Sequence, residues 1–286
     1  MSIQAAQITG VAAGVPFVAV PPITPPSGSK PIVVAWHLMD APRTEVAFAA
    51  ALPLSGLDAW RIYLGLPLSG SRTPPGGDEE LTRLGFEDAV LNLQGPITHQ
   101  AAAEFVPALA ALRGQLDLGD GSIGVLGGSV GAAVAQLVLA ESDVAIGTAV
   151  LVSPLVRLHP VVEALARRYD FTYPWSEASL EVARRLDFVA RADEIAKRGE
   201  PAVLLVVGGD DEPQGFHEPA QQLRDALVSR YADPERAELV VIPGMGHALA
   251  DEPGVEPAPQ GVHAAQVDRH AARWLRRHLT GTGGET

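Results

Sequence analysis

The sequence predicts an α/β protein: a doubly wound, mostly parallel sheet with an antiparallel N-terminal edge and a small helical cap. Three observations lead there. Five runs of strand length, 32–36 (IVVAW), 123–126 (IGVL), 148–152 (TAVLV), 202–207 (AVLLVV) and 238–242 (ELVVI), are apolar or nearly so with no polar face. Strands covered on both sides have this composition. Ala-rich stretches of helical character separate the runs, and such alternation implies parallel strands joined by helices. Two segments, the first 30 residues and residues 153–200, break the alternation.

In chain order, the first 30 residues hold strand-like runs and then PPITPPSGSKP, which can be neither helix nor central strand. The front end therefore reads as an antiparallel edge, with the proline-rich stretch on the surface. A helix is expected from near Thr44, capped by Asp40 and Arg43. Over 99–116, Ala103, Val106, Leu109, Ala110 and Leu116 sit near helical spacing, and Pro107 is expected to kink or interrupt that helix. Residues 121–140 carry no charge and are long enough to span a bilayer. Their five glycines within eleven residues, followed by Gln136, instead suit a buried strand, a tight turn and a buried helix. Helical patterns at 158–168 and 178–198, the second ending at Gly199 before Pro201, make 153–200 an inserted cap or lid. The core is then 1–152 and 201–286. Residues 218–231 and 262–279 read as helices, the latter with Val267, Ala271, Trp274, Leu275 and Leu279 facing inward, and the tail GTGGET as small and flexible.

Composition narrows the function. The chain has 286 residues, 47% of them apolar, a net charge of −13 and no cysteine. That is too apolar for a disordered chain. Without cysteine there is no disulfide framework, thiolate metal site or cysteine nucleophile. The acidic balance speaks against a nucleic-acid partner, which needs clustered Lys and Arg. The N-terminal residues lack a basic segment followed by an unbroken apolar one, so no secretory signal is read there and the expected location is the cytoplasm. No H-E-x-x-H or comparable spacing points to a metal.

The most informative motif is Gly127-Gly128-Ser129-Val130-Gly131, a G-x-S-x-G that joins an apolar run to the helical AAVAQLVLA. A serine on such a strand-to-helix turn projects above the sheet, and the flanking glycines let strand and helix approach closely. The N–H of Val130 would then face a developing oxyanion. A nucleotide loop and a plain glycine turn are the rival readings. Neither G-x-G-x-x-G nor G-K-[ST] is present at this junction.

A serine hydroxyl needs a base, and the base an orienter. Asp210 and Asp211 follow the run VLLVV, and His247 follows LVVIPGMG, so all lie just past strand ends, where sites in open α/β sheets collect. Each alone has a bland reading, a solvated turn or a surface loop; the order Ser, Asp, His is what unites them. His37 follows IVVAW, and the loop there would supply a second oxyanion N–H from Leu38 or Met39.

Taken together, GGSVG, VVGGDDE, IPGMGHAL and AWHL resemble the nucleophile elbow, acid-bearing strand end, histidine loop and oxyanion loop of the α/β-hydrolase superfamily. The resemblance covers most of residues 30–280 and is to the serine-nucleophile branch of carboxylesterase-like and prolyl-oligopeptidase-like proteins. It implies Ser129 as nucleophile, His247 as general base and then acid, and Asp211 as orienter; G-x-x-D counted from Gly208 selects Asp211, with Asp210 as the alternative. The family usually shows His-Gly after the oxyanion strand, whereas Leu38 follows His37 here. The expected activity is cofactor-free hydrolysis of a small-molecule ester through an acyl-enzyme. Peptidase, thioesterase, acyltransferase or perhydrolase chemistry on the same triad, and non-hydrolytic ligand binding, are the alternatives. The pocket would be lined from the cap by Leu155, Tyr169, Phe171, Tyr173 and Trp175.

Overall fold

Residues 7–24 and 29–279 are described by a computed structural model. The readings placed on residues 1–6, on the middle of the proline-rich stretch (25–28) and on the tail GTGGET concern residues outside those described.

The apolar runs form strands, and the chain order is β1 (Ile8–Ala12), β2 (Val15–Val20), β3 (Ile32–Trp36), β4 (Trp60–Leu64), β5 (Ile123–Gly128), β6 (Ile146–Val152), β7 (Ala202–Gly208) and β8 (Ala237–Ile242). They make one sheet ordered β1-β2-β4-β3-β5-β6-β7-β8. From β4 to β8 every pairing is parallel, while β1 with β2 and β2 with β4 are antiparallel. The expected architecture is the one observed. Along β3, Ile32, Val34 and Trp36 enter the apolar cluster on one face, and Val33 and Ala35 the cluster on the other. A period of two with both faces covered is why the run has no polar positions.

Strand β4 was not foreseen, because Arg61 interrupts its apolar pattern. Arg61 is nonetheless buried, its guanidinium donating to the carbonyls of Pro53 (3.1 Å) and Pro21 (2.7 Å). A buried cation is tolerated when its N–H groups find acceptors.

The helices are α1 (Glu45–Ala51), α2 (Gly77–Ala89), α3 (Gly95–Leu116), α4 (Val130–Glu141), α5 (Leu158–Arg168), α6 (Glu177–Arg185), α7 (Ala192–Ala196), α8 (Glu218–Val228) and α9 (Val262–Leu279). Helices α1 and α9 cover one face of the sheet; α3, α4 and α8 cover the other. The inward stripe of α9 is as read: Val267, Ala271, Trp274, Leu275 and Leu279 are all buried. Pro107 lies inside helix α3 without ending it. Its buried stripe is Ala101, Phe105, Ala108, Leu109 and Leu112, with Ala103, Val106 and Ala110 exposed. Proline removes one i→i−4 hydrogen bond, and burial of this stripe, with Phe105 edge-on to Trp36 at 5.7 Å, holds the helix together across the gap. Thr44 itself caps α1, accepting from the Ala47 N–H at 3.1 Å, while Arg43 pairs with Asp78.

Between β6 and β7 the chain passes through α5, α6 and α7. The second helical pattern is split there into α6 and α7, and α7 packs against α4 and α8. Among the described residues no helix is long and apolar enough to cross a membrane.

Candidate active site

The site forms at the carboxyl ends of β3, β5 and β7. The glycine-serine turn is shaped by close approach: a Cβ on Gly127 would stand 2.2 Å from the Gly131 carbonyl oxygen, and one on Gly131 would stand 2.4 Å from the carbonyl oxygens of Trp36 and His37. Only glycine fits either position. Ser129 between them has φ 50° and ψ −115°, a left-handed backbone that a β-substituted residue adopts only when its surroundings impose it. The Ser129 N–H donates to the Val152 carbonyl (2.9 Å), and its carbonyl accepts from Ala132 and Leu155. Val130 opens α4, so its N–H has no acceptor within the helix.

Asp211 and His247 reach the same point from neighbouring strand ends. His247 Nδ1 lies 2.8 Å from Asp211 Oδ2, and His247 Nε2 lies 2.8 Å from Ser129 Oγ. An ionised carboxylate only accepts, so the Nδ1 proton is directed to Asp211 and Nε2 is left to accept from the Ser129 hydroxyl. Asp211 is buried and also accepts from the Glu212 N–H (2.8 Å). Asp210 is exposed and faces the pocket; its N–H donates to the Met245 carbonyl (2.9 Å), which ties the acid turn to the histidine loop.

The loop after β3 carries the second oxyanion candidates. His37 is fully buried; its Nδ1 is 2.6 Å from the Leu38 carbonyl oxygen, and its Nε2 accepts from the Leu66 N–H at 3.1 Å. Burial lowers the His37 pKa to about 4; the Leu38 carbonyl opposes this and Arg43 adds to it. The imidazole is therefore neutral, with its proton on Nδ1. The peptide after Leu38 is trans, so fixing the Leu38 carbonyl on His37 turns the Met39 N–H the other way. Met39 lines the pocket with Ser129 and Val130. Leu38 instead buries its side chain over Gly128, where a Cβ would meet Leu38 Cδ1 at 2.4 Å. The space that glycine would leave after His37 is thus made by the glycine before Ser129.

Three neighbours escaped the sequence reading. Asp40 was assigned to a helix cap, yet its carboxylate lies 3.7 Å from His247 Nε2. Phe216 packs its ring at 4.2 Å from the His247 ring. His217, in the same π-helical turn (Pro213–His217), holds the Gly208 carbonyl that also receives the Asp211 N–H. All three are tertiary contacts without a local motif. Of the cap side chains expected in the pocket, Leu155 and Tyr169 line it, but Phe171, Tyr173 and Trp175 do not. Tyr173 donates to Asp88, and Trp175 donates to Glu163 while stacking on His159 at 4.4 Å. The cavity measures about 470 Å³. Among the described residues no cluster of His, Asp and Glu could hold a metal ion.

No protein-family model matches the chain, and no curated protein sequence matches it. Solved structures do. TT1662 of Thermus thermophilus superimposes over 98% of this chain and 100% of its own, with a TM-score of 0.62 at 17% identity. A puromycin-hydrolyzing peptidase of Mycobacterium tuberculosis matches over 98% of this chain at 18% identity and a TM-score of 0.63. This chain spans only 40% of that peptidase's length. Esterase Pf2001 of Pyrococcus furiosus matches over 96% of this chain and 92% of its own at 15% identity, with a TM-score of 0.56. The chain has the α/β-hydrolase fold. In this fold the elbow after β5 and the loops after β3, β7 and β8 lie side by side at one edge of the sheet, where Ser129, Met39, Asp211 and His247 are found.

Proposed function

We propose that this protein is a serine hydrolase that cleaves carboxylic esters through an acyl-enzyme, with Ser129 as nucleophile, His247 as base and Asp211 as orienter. The observation that carries the reading is the unbroken relay from Asp211 Oδ2 through both nitrogens of His247 to Ser129 Oγ, each link at 2.8 Å. In this reading Ser129 Oγ adds to the ester carbonyl carbon while its proton passes to His247 Nε2. Asp211 holds the Nδ1 proton and stabilises the imidazolium. The N–H groups of Val130 and Met39 receive the oxyanion. On collapse the C–O bond to the alcohol breaks, and the Nε2 proton goes to the leaving oxygen. Water, deprotonated by the same nitrogen, then adds to the acyl carbon; the bond to Ser129 Oγ breaks, the Nε2 proton returns to Oγ, and the acid leaves. Residues 153–200 act as the cap, with α5 standing over the pocket.

The fold neighbours include peptidases as well as an esterase. The peptidase reading differs by one requirement, since an amine leaves only after His247 has protonated it. Reaction with a fluorophosphonate, with the adduct mapped by peptide mass spectrometry and p-nitrophenyl acetate turnover recorded alongside, tests the shared mechanism. An adduct on Ser129, absent with turnover in Ser129→Ala and strongly reduced in His247→Ala, is expected. Labelling elsewhere, or none, leaves non-hydrolytic ligand binding in front.

A further inference from the structure

The cavity above Ser129 is lined by two unlike sets of side chains. One is polar: Asp40 comes from the loop after β3, and Asp210 and Glu212 from the loop after β7. The other is apolar and is built largely by one helix. Val161, Ala164, Leu165 and Tyr169 of α5 and its C-terminal end face the cavity, with Leu155 and Phe216 beside them. Positions 161, 164/165 and 168/169 share one face of a helix by its 3.6-residue period. Over eight residues that face runs for about 12 Å.

Only the inner half of this stripe, Val161 and Ala164, also packs on the protein. Leu158, Val162 and Ala166, on the adjacent face, are buried. Along the cavity-facing stripe exposure rises outward: Val161 and Ala164 are buried, Leu165 is 40% exposed and Tyr169 66% exposed. The apolar wall thus continues from the floor of the catalytic cavity to its open rim, and its outer half faces water in the free protein. An apolar chain laid on it gains about 25 cal/mol for each Å² removed from water.

We propose that the substrate carries an extended, apolar, uncharged arm that lies along α5 from Ser129 toward Tyr169; this deepens the serine-hydrolase reading and rests on it. The charged groups around the cavity set the sign. An anionic arm would meet the carboxylates of Asp40, Asp210 and Glu212, which line the same cavity. Arg168, the one arginine or lysine among the described residues that line the cavity, comes from α5 with its guanidinium 5.7 Å from the centroid of the Tyr169 ring, and would favour an anion there.

The experiment compares kcat/KM for p-nitrophenyl acetate, butyrate and octanoate, and for pentanoate against the glutarate hemiester, whose arm ends in a carboxylate. A fluorophosphonate labelling of Ser129 is run on the same preparation. Because a fully buried methylene is worth about fourfold, a partly covered wall is expected to raise kcat/KM by about tenfold or more from acetate to octanoate. In Leu165→Asp and Tyr169→Ser, both at exposed positions, the octanoate-to-acetate ratio is expected to fall by about fivefold or more. The glutarate hemiester should be slower than pentanoate. A flat chain-length series, or a ratio that neither variant changes, overturns the proposal while the serine mechanism stands. Faster turnover of the glutarate hemiester also overturns it, transferring the role to Arg168. Absence of Ser129 labelling together with absence of turnover marks the other failure, that of the serine-hydrolase reading, and the proposal falls with it.

Discussion

His37 links the stability of the protein to the integrity of the loop after β3, and the link is measurable through pH. Burial lowers its pKa from 6.5 to about 4, so the native state keeps the ring neutral where the unfolded chain protonates it. The sign follows: as pH falls below 6.5 the unfolded state takes up a proton that native His37 refuses, and stability is lost until the folded value near 4 is reached. At about 1.4 kcal/mol per pH unit, the loss from His37 is close to nil at pH 7, about 2 kcal/mol at pH 5 and about 3 kcal/mol below pH 4. Burial lowers His99, His270 and His278 as well, so the wild type alone would overstate the contribution of His37. The comparison is therefore urea denaturation of wild type and His37→Asn at pH 7 and pH 5. The wild type should lose about 2 kcal/mol more than the variant across that interval. Equal losses would refute the reasoning. So would an imidazole that titrates near 6.5 by NMR in the native protein, a measurement that stands even where the variant folds poorly.

Four further outcomes are expected. Asp211→Asn, which replaces an acceptor-only carboxylate by an amide that can donate to Nδ1 and so favour the wrong His247 tautomer, should lower kcat on p-nitrophenyl acetate by about 10³-fold to 10⁴-fold; Asp210→Asn should stay within about tenfold of wild type, since Asp210 makes no bond to His247. Gly131→Ala would press a methyl group onto two carbonyl oxygens at 2.4 Å, and chemical denaturation should show a loss of about 3 kcal/mol or no folded protein. Phe105→Ala, deleting a fully buried ring packed on Trp36, should cost about 3–5 kcal/mol by the same measurement. Thr44→Val removes both the cap of α1 and the bond to the Val255 carbonyl at 2.7 Å; denaturant unfolding should register a loss of about 1 kcal/mol, because the hydroxyl serves one helix end and one loop.

The sheet was legible because its strands are buried on both faces, a condition that writes itself into sequence as unbroken apolar runs. Arg61 shows the limit: one charge inside β4 hid the strand, since the acceptors that make its burial tolerable lie on distant carbonyls. Helix α3 shows another, because which face of an Ala-rich helix is buried depends on its neighbours rather than on its own period.

At the site, local backbone chemistry determined what could be read. The elbow needs glycines at fixed offsets from Ser129, and that need is visible in five consecutive residues. The ends of β7 and β8 likewise announced Asp210, Asp211 and His247 as a group. Choosing between the two aspartates took the tertiary structure, because adjacent residues point different ways and only the fold directs one of them to His247 Nδ1. In the loop after β3 the sequence offered Leu38 and Met39 alike; the Leu66 N–H on His37 Nε2, a tertiary contact, fixes the ring whose Nδ1 donates to the Leu38 carbonyl. The sequence by itself determined the covalent and conformational requirements of each strand end. Which side chains meet across those ends, and what wall α5 presents to them, depended on contacts between residues distant in sequence, 118 positions for Ser129 with His247 and 36 for Asp211 with His247.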